Sequence, residues 1–369
     1  MRIPNWPEAG EREIELLREV LGSTQWGGFH EIVPRFEHRF ADFQHCGYGL
    51  AAFNGTVTLE AMFAVLGIGP GDEVIVPAIS FVSTATAVSR AGAIPVFVDI
   101  EEYSFNIDPD AVRRAITPRT KAILAVHFGG PLCEIEELSA IAAKHGILLL
   151  EDAAHAVGSE WNGKRAGSFG LAASFSLQNG KILTAGEGGM LTSNDATFAE
   201  KARAFINQGR REGEGFFFHY TLGSNLRITA LQAAVLMAQM DRVPEQIARR
   251  TRNSKRIREA LTDREGLVFQ KIPAAVNVHS EYLLCGRIDA GKFGATRDEF
   301  HKKVTVAGIP CTPFYPHTLY QNPMYRTVPC RVTPCPNSEA YLGDAFWFPH
   351  RVLLADEESI EEIIAVLQS

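Results

Sequence analysis

The segment FSLQNGKILTAGEGG places a lysine in a setting that favours chemistry. Lys181 follows a short apolar run and precedes a glycine-rich turn, which leads into a second apolar run from Met190 to Ser193. Burial lowers the pKa of an amine, and the neutral amine can form a Schiff base with a carbonyl compound. A solvated surface charge is the ordinary alternative, and the small, apolar flanking residues make it less natural here. The GEGG run lacks GxGxxG spacing and leads into a strand pattern, which excludes a dinucleotide loop.

A second segment, LLLEDAAHAVG, ends a buried strand pattern on two acidic residues. Ligands of open α/β sheets bind at such strand ends, and a carboxylate there can keep a ring nitrogen protonated. Asp152 is the candidate for that role. A helix cap or a magnesium ligand is the alternative for Glu151 and Asp152, but no further carboxylates cluster nearby in the sequence. His155 fits a contact with a bound ring and a packing role equally well.

A third segment, FNGT, joins a strand pattern to a helix pattern. Gly55 and Thr56 would lie in the loop just before the helix, where exposed backbone N–H groups favour an anion and glycine lets a phosphate approach the backbone closely. Phe81 follows another strand end and could stack on an aromatic ring, although a phenylalanine is more often a core residue. An amine, an acid for a pyridine nitrogen, an anion loop and a stacking ring are together the requirements of pyridoxal 5'-phosphate (PLP).

The elements that must position these residues alternate between strand and helix, which predicts an α/β fold with a mostly parallel sheet covered by helices. Leu226 to Ile247 predicts one long helix, and the more mixed residues that follow predict a smaller α+β domain. The expected organisation is a large domain over 1–245 and a small C-terminal domain over 246–369. The first predicted strand ends at Phe53, and the others span 73–76, 94–98, 122–126, 147–150 and 173–176. The predicted helices span 57–65, 83–90, 108–115 and 135–145.

Composition narrows the class of protein further. The chain has 369 residues, is 46% hydrophobic and carries a net charge of -7, which is ordinary for a globular enzyme and unfavourable for a nucleic-acid partner. Its six cysteines are scattered and lack zinc-ligand spacing, so we expect no metal site and a reducing compartment. No signal peptide or membrane span is predicted, and the expected location is the cytoplasm.

The motifs NGT, EDAAHAVGS, FSLQNGKILTAGEGG, GSNLRITALQAAVL and CPNSEA occur in an order that resembles the DegT/StrS-type sugar aminotransferases, PLP enzymes of fold type I. The resemblance covers essentially the whole chain. It implies a large domain with a mostly parallel seven-stranded sheet flanked by helices. Within that family, FSLQNGK, GSNLR and WFPHRVLL look most like the glutamine-dependent aminotransferases of keto-cyclitols such as scyllo-inosose, and like 3-amino-5-hydroxybenzoate synthase.

The resemblance also implies roles for individual residues. Lys181 would bind the cofactor aldehyde, Asp152 would pair with the pyridinium nitrogen, and Phe81 would stack on the ring. Gly55, Thr56 and Ser176 would hold the phosphate, and Asn225 would reach the phosphate in the neighbouring subunit of a homodimer. The remaining cofactor or substrate contacts would be His155, Gln178, Tyr315 and His317, of which the last two have a packing role as an equal alternative.

The expected reaction moves an amino group from L-glutamine or L-glutamate to a keto group on a cyclitol or sugar, in saccharide or secondary-metabolite (antibiotic) biosynthesis. Pyridoxamine 5'-phosphate would be the intermediate form of the cofactor. The alternatives are a synthase that couples dehydration to aromatisation, a nucleotide-sugar aminotransferase, and a sugar dehydratase, whose subgroup replaces the lysine with histidine. Alternatives of other classes are a non-catalytic PLP-binding regulator and a nicotinamide-dependent oxidoreductase.

Overall fold

The computed structural model describes all residues from 1 to 369. The whole chain contains thirteen α-helices and fifteen strands. Over the first two-thirds of the chain, helices and strands largely alternate. The helices are α1 Glu11–Ser23, α2 Ile32–Phe43, α3 Gly55–Leu66, α4 Ser83–Arg90, α5 Pro109–Ala115, α6 Ile135–His145, α7 Ala196–Ile206, α8 Ala230–Gln239, α9 Val243–Ala260, α10 Ala290–Phe293, α11 Arg297–Val306, α12 Pro336–Asp344 and α13 Glu357–Gln368. The strands are β1 Tyr48–Ala52, β2 Glu73–Pro77, β3 Ile94–Val98, β4 Thr120–Val126, β5 Leu148–Asp152, β6 Glu160–Trp161, β7 Lys164–Arg165, β8 Ala172–Ser176, β9 Gly189–Ser193, β10 Leu267–Phe269, β11 Val276–Val278, β12 Leu283–Ile288, β13 Thr312–Pro313, β14 Arg331–Val332 and β15 Ala345–Pro349.

The large sheet has the strand order β1-β9-β8-β5-β4-β2-β3-β14. The pairs β14–β3, β3–β2, β2–β4, β4–β5 and β5–β8 are parallel, whereas β8–β9 and β9–β1 are antiparallel. The predicted α/β class and mostly parallel sheet are therefore confirmed. The expected seven strands come from residues 48–193, and β14 adds a short eighth strand at the edge.

Alternating side chains of the large sheet enter two separate cores. On β3, Val96 and Val98 belong to one apolar cluster and Phe97 to the other. On β4, Ile123 and Leu124 divide in the same way. Because both faces are covered, the central strands are almost wholly apolar, and the ends of those strands are where polar residues gather.

The C-terminal part of the chain forms a four-stranded antiparallel sheet, β10-β12-β15-β13, over its own cluster of seventeen buried residues. Not every residue after 245 packs there: Leu319, Tyr325 and Cys335 pack into a core of the large sheet. The division at residue 245 stays a prediction.

The single long helix predicted over Leu226 to Ile247 is wrong. Two helices occupy this region: α8 ends at Gln239, and α9 begins at Val243 with Pro244 in its first turn. Proline lacks the N–H that a continuing helix needs and clashes with the preceding turn, so it is favoured at a helix start. No helix of the structure is both long enough and apolar enough to cross a membrane.

Candidate active site

A pocket of about 490 Å³ opens at the carboxyl ends of the parallel strands. Its lining residues come from the ends of β2, β4, β5 and β8, from the start of α3, and from the C-terminal sheet. Ligands of open α/β sheets bind at this edge because the loops there diverge around a crevice.

Lys181 lies in the turn between β8 and β9. Its backbone N–H donates to the carbonyl of Gln178 at 2.8 Å, which closes a tight turn and directs the side chain into the pocket lining. Its Nζ lies 4.6 Å from the centre of the Tyr282 ring. No carboxylate forms an ion pair with this amine, although 22 ion pairs occur in the chain. A lysine without a fixed counter-ion is available to react.

Asp152 ends β5 and is buried at 6% exposure. Its Oδ2 accepts a hydrogen bond from the Thr84 hydroxyl at 2.7 Å, and Ser80 bonds to Thr84 at the same distance. The backbone N–H of Ala154 donates to Oδ1 at 3.3 Å. Burial raises the pKa of Asp152, although these hydrogen bonds and the charge of Lys181 act in the opposite direction. The carboxylate has no cationic partner in direct contact, so the site is suited to a cationic ring N–H.

Phe81 and His155 present rings to the same pocket. Phe81 follows β2 and is 59% exposed, so much of its ring is open to contact with a molecule in the pocket. His155 is buried, and its Nδ1 accepts the N–H of Gly129 at 3.2 Å. Burial, together with the charge of Lys181, lowers the pKa of His155 well below its ordinary value. His155 lines the pocket and packs between Phe128 and Tyr282, and its contact with a bound ring stays a prediction.

The start of α3 provides backbone donors. Asn54 caps the helix by accepting the N–H of Val57 at 3.0 Å, while the N–H groups of Gly55 and Thr56 have no acceptor in the chain. A Cβ at position 55 would lie 2.9 Å from the Cβ of Ser176, so only glycine lets the helix start approach β8 this closely. Two free N–H groups and the positive end of the helix dipole favour a phosphate here.

Nine of the eleven predicted site residues line this one pocket: Gly55, Thr56, Phe81, Asp152, His155, Ser176, Gln178, Lys181 and Tyr315.

Two predicted residues lie elsewhere. His317 does not line the pocket; its Nδ1 lies 3.2 Å from the carbonyl of Thr318, at a turn that leads into a short 3-10 helix. Asn225 is exposed on the surface and pairs with Asn207 through a backbone bridge, outside the pocket of its own chain.

Sequence reasoning missed several lining residues, notably Thr84, Glu187, Tyr282 and Trp347. The hydroxyl-rich run SFVSTATA was a signal for Thr84, because a buried hydroxyl next to an acidic strand end needs a partner. Tyr282 and Trp347 come from β12 and β15 or their approaches, more than 100 residues beyond Lys181 in sequence, and no local pattern links them to it.

Glu151, the neighbour of Asp152, points to the other side of the strand and has a structural role. Its oxygens accept three backbone N–H groups, from Gly167, Phe169 and Gly170, and contact His127 Nε2 at 3.0 Å. Burial alone would raise its pKa, but these hydrogen bonds and the charge of His127 outweigh burial and lower it. Glu151 thus fixes a loop and is neither a helix cap nor a metal ligand.

Comparison with known proteins identifies the family. The sequence profile of the DegT/DnrJ/EryC1/StrS aminotransferase family matches residues 7–368. The chain belongs to this family. Membership makes it a PLP-dependent aminotransferase and confirms the resemblance seen in the motifs.

One relative is 3-amino-5-hydroxybenzoate synthase of Amycolatopsis mediterranei. It is 37% identical to this chain, over 98% of this chain and 96% of its own length. L-glutamine:2-deoxy-scyllo-inosose aminotransferase of Streptomyces kanamyceticus is 32% identical over 98% and 91%. A crystal structure of 3-amino-5-hydroxybenzoic acid synthase superposes with a TM-score of 0.93 at 36% identity, covering 100% of this chain and 98% of that one. The comparison confirms fold type I.

Proposed function

We propose that this aminotransferase moves an amino group from L-glutamine or L-glutamate to a keto group on a cyclitol or a related sugar, with PLP bound in the pocket around Lys181. The observation that carries the proposal is the convergence of Lys181, Asp152, Phe81 and the start of α3 on one pocket.

The residues fit PLP feature by feature. The free N–H groups of Gly55 and Thr56 and the hydroxyl of Ser176 suit the phosphate. The Asp152 carboxylate suits a protonated ring nitrogen, and the exposed face of Phe81 suits an aromatic ring. Lys181 suits the aldehyde. When bound, PLP supplies a sink for the electrons left after a proton leaves the amino donor.

Each side chain then has a defined task. Asp152 keeps the proton on the ring nitrogen, and Thr84 fixes the orientation of Asp152 through its 2.7 Å hydrogen bond. Lys181 Nζ would take the proton from the α-carbon of the donor and, acting as an acid, would return it to the carbon that carried the cofactor aldehyde, on the other side of the transferred nitrogen. In the second half of the cycle the same amine moves a proton in the reverse direction, which delivers the amino group to the ketone.

The charge of the lining favours an uncharged acceptor. Lys181 is the only lysine among the 21 lining residues, and none of them is an arginine. A nucleotide diphosphate would call for cations beyond the amine used in catalysis. A polyhydroxylated ring needs hydrogen-bonding groups instead, and Gln178, Glu187 and Tyr315 supply them. This contrast favours a keto-cyclitol over a nucleotide-linked keto-sugar.

The acceptor is tested by half-reaction spectroscopy. The protein is loaded with pyridoxamine 5'-phosphate and mixed with keto-cyclitols, simple keto-sugars and nucleotide-linked keto-sugars, and return of the visible absorbance of the PLP form is followed. We expect return with a keto-cyclitol. Return only with nucleotide-linked compounds would show that the acceptor proposal is wrong while leaving the aminotransferase assignment intact.

A second candidate is a synthase that combines amino-group chemistry with dehydration and aromatisation at the same pocket. The observation in its favour is the whole-chain similarity to 3-amino-5-hydroxybenzoate synthase in both sequence and structure. Appearance of an aromatic product, seen by ultraviolet absorbance and mass spectrometry with an aminated cyclohexenone acid as substrate, would establish it.

We also propose that the functional unit is a homodimer. The segment between α7 and α8 exposes Phe216, Phe217, Phe218 and Leu222, the last at 96%, and a cluster of exposed apolar side chains is typical of a protein–protein interface. Asn225 lies just beyond that segment, is exposed and does not line the pocket of its own chain. Light scattering across a dilution series tests the state, and a monomer that retains full activity would overturn it.

A further inference from the structure

Two adjacent backbone carbonyls at the active-site lysine are held by side chains from opposite ends of the chain. Trp6 Nε1 donates to the carbonyl of Lys181 at 3.0 Å. His350 Nε2 lies 3.2 Å from the carbonyl of Gly180. The tasks assigned above to the pocket residues use neither side chain.

The same two side chains also connect to the amine end of Lys181. The rings of Trp6 and His350 meet edge to face, 4.5 Å apart at 88°. His350 in turn lies nearly parallel to Tyr282, with centroids 5.9 Å apart and an angle of 24°. Tyr282 presents its ring to Lys181 Nζ at 4.6 Å. A continuous series of contacts, through Trp6, His350 and Tyr282, therefore links the backbone carbonyl of Lys181 to its amine.

The hydrogen bond between His350 and Gly180 is possible for only one tautomer of the histidine. His350 is 2% exposed, and burial, with a smaller contribution from the charge of Arg250, lowers its pKa well below the ordinary value. The ring is therefore neutral and carries one proton. Only a protonated Nε2 can donate to the carbonyl of Gly180, and Nδ1 is buried without a partner. This contact fixes the tautomer of the histidine.

Trp6 is itself held in place. The carbonyl of Pro4 accepts from Arg351 at 3.3 Å, and the N–H of Arg2 donates to the Ser359 hydroxyl at 2.6 Å. The terminal amine pairs with Glu362. The first six residues are thus fastened to the C-terminal elements, and they hold Trp6 against the turn that carries Lys181.

We propose that Trp6 and His350 are positioning residues that fix the backbone and, through Tyr282, the amine of Lys181 in the geometry needed for proton transfer. The inference rests on the proposed role of Lys181. A lysine has four rotatable bonds, and an error of about 1 Å in a reacting group can cost about a hundredfold in rate. Holding both ends of the side chain removes that error.

The test separates hydrogen bonding from general stability with matched variants. Trp6→Phe and His350→Phe keep a ring and remove the donor, whereas His350→Gln keeps an N–H near the position of Nε2 and removes the ring. Trp161→Phe is the control, because Trp161 is buried and its indole N–H has no partner, so the change removes ring volume without removing a hydrogen bond. For each protein we would measure kcat, KM, the Tm without cofactor, and the pH midpoint of the visible absorbance of the lysine-linked cofactor.

We expect Trp6→Phe and His350→Phe to lower kcat about tenfold, the size of effect that one hydrogen bond supplies, with KM nearly unchanged. Their spectral midpoint should move by about half a pH unit or more, and His350→Gln should return it toward the wild-type value. Trp161→Phe should lower Tm and leave kcat and the pH midpoint of the visible absorbance unchanged. The inference is overturned if the midpoint and kcat of the Phe variants equal those of wild type, or if Trp161→Phe shifts them equally. If wild type itself shows no lysine-linked cofactor, the proposed function fails instead.

Discussion

The pocket has two walls of different construction. The sheet-edge wall, formed by residues 54–56 together with Thr84, Asp152 and Ser176, comes from the ends of β5 and β8 and from the starts of α3 and α4, beside the large sheet. The aromatic wall, formed by Tyr282, Tyr315 and Trp347, comes from the C-terminal third of the chain. Polar groups of the first wall are held by short hydrogen bonds, such as Thr84 to Asp152 at 2.7 Å. The rings of the second are held by ring contacts, such as Tyr315 to Trp347 at 5.4 Å.

This difference separates two tasks. Preorganised charges and donors favour a cofactor that is the same in every cycle, because they cost no rearrangement during the reaction. Ring contacts impose weaker directional demands, so an aromatic wall can be reshaped for a different acceptor without disturbing the chemistry. We therefore expect substitutions in the sheet-edge wall, and at the adjacent Lys181, to lower kcat, and substitutions in the aromatic wall to change acceptor KM.

The largest effect is expected for Lys181→Ala. Removal of the amine that moves the proton should lower kcat by about 10⁴-fold or more. Steady-state rates with glutamine and a keto acceptor measure the effect. Lys201→Ala, on the exposed side of α7, is the control and should retain wild-type rates. A Lys181→Ala enzyme that turned over near the wild-type rate would contradict the role assigned to Lys181.

The next largest effect is expected for Asp152→Asn. It should lower kcat by about 10²- to 10³-fold, because a neutral amide cannot keep the ring nitrogen protonated. Thr84→Val leaves the carboxylate in place and removes the 2.7 Å hydrogen bond to it, together with the contact between Thr84 and Ser80, so kcat should fall about tenfold. Rates of the donor half-reaction, followed by absorbance, measure both. Equal rates for wild type and Asp152→Asn would contradict the assigned role.

Asn225→Ala tests whether the sheet-edge wall is completed by the other subunit. Loss of one hydrogen bond to a phosphate should lower activity about ten- to a hundredfold. A hybrid dimer of a Lys181→Ala chain and an Asn225→Ala chain, purified with two different tags, should recover about half of the wild-type activity, because one of its two sites has both residues. An inactive hybrid would show that Asn225 contributes to the active site of its own subunit.

Tyr315→Phe tests the aromatic wall. Loss of one hydroxyl should raise the KM for the acceptor about three- to tenfold and leave the donor half-reaction unchanged. Stopped-flow rates with glutamine alone and steady-state KM values with the acceptor separate the two effects. A slower donor half-reaction would mean that the two walls do not divide the tasks.

The smallest effect concerns the stability of the cofactor-free protein. Burial raises the pKa of Asp152 above its unfolded value, so the buried carboxyl begins to cost stability as the pH rises above the unfolded pKa, and the cost is complete above the raised pKa. As the pH falls from the raised pKa toward the unfolded pKa, the cost decreases, and it is gone once both the folded and the unfolded states are protonated. Asp152→Asn should therefore raise Tm by about 2 °C near pH 8, with a smaller difference near pH 5. A difference that grows toward low pH would contradict the sign.

The sequence was most informative where each local signal agreed with the fold. Ser83–Arg90 and Ile94–Val98 were predicted with their observed bounds, because turn residues separate an apolar strand from a helix pattern there. The helix predicted to run through Pro244 failed because an apolar periodicity was followed across a residue that starts a helix. Most of the sheet-edge wall could be predicted, because Asp152 ends a buried strand pattern and Gly55 precedes a helix pattern, whereas Thr84 was missed because its hydroxyl meets Asp152 only in the folded chain.

The aromatic wall could not be predicted in the same way. Tyr282 and Trp347 reach the pocket through the packing of one sheet against another, which no local pattern in the sequence specifies. Tyr315 and His317 are two residues apart, and strand alternation would place them on one face. The chain leaves β13 at Pro313, so that rule no longer applies, and only Tyr315 lines the pocket.

The central claim, that Lys181 is the residue through which the pocket binds its cofactor, is tested most directly by trapping. The protein saturated with PLP is reduced with borohydride, digested and mapped by mass spectrometry. We predict one modified peptide, carrying the reduced cofactor on Lys181, and bleaching of the visible absorbance in proportion to its yield. Modification at a different lysine, or none at Lys181 when the cofactor is bound, would contradict the account.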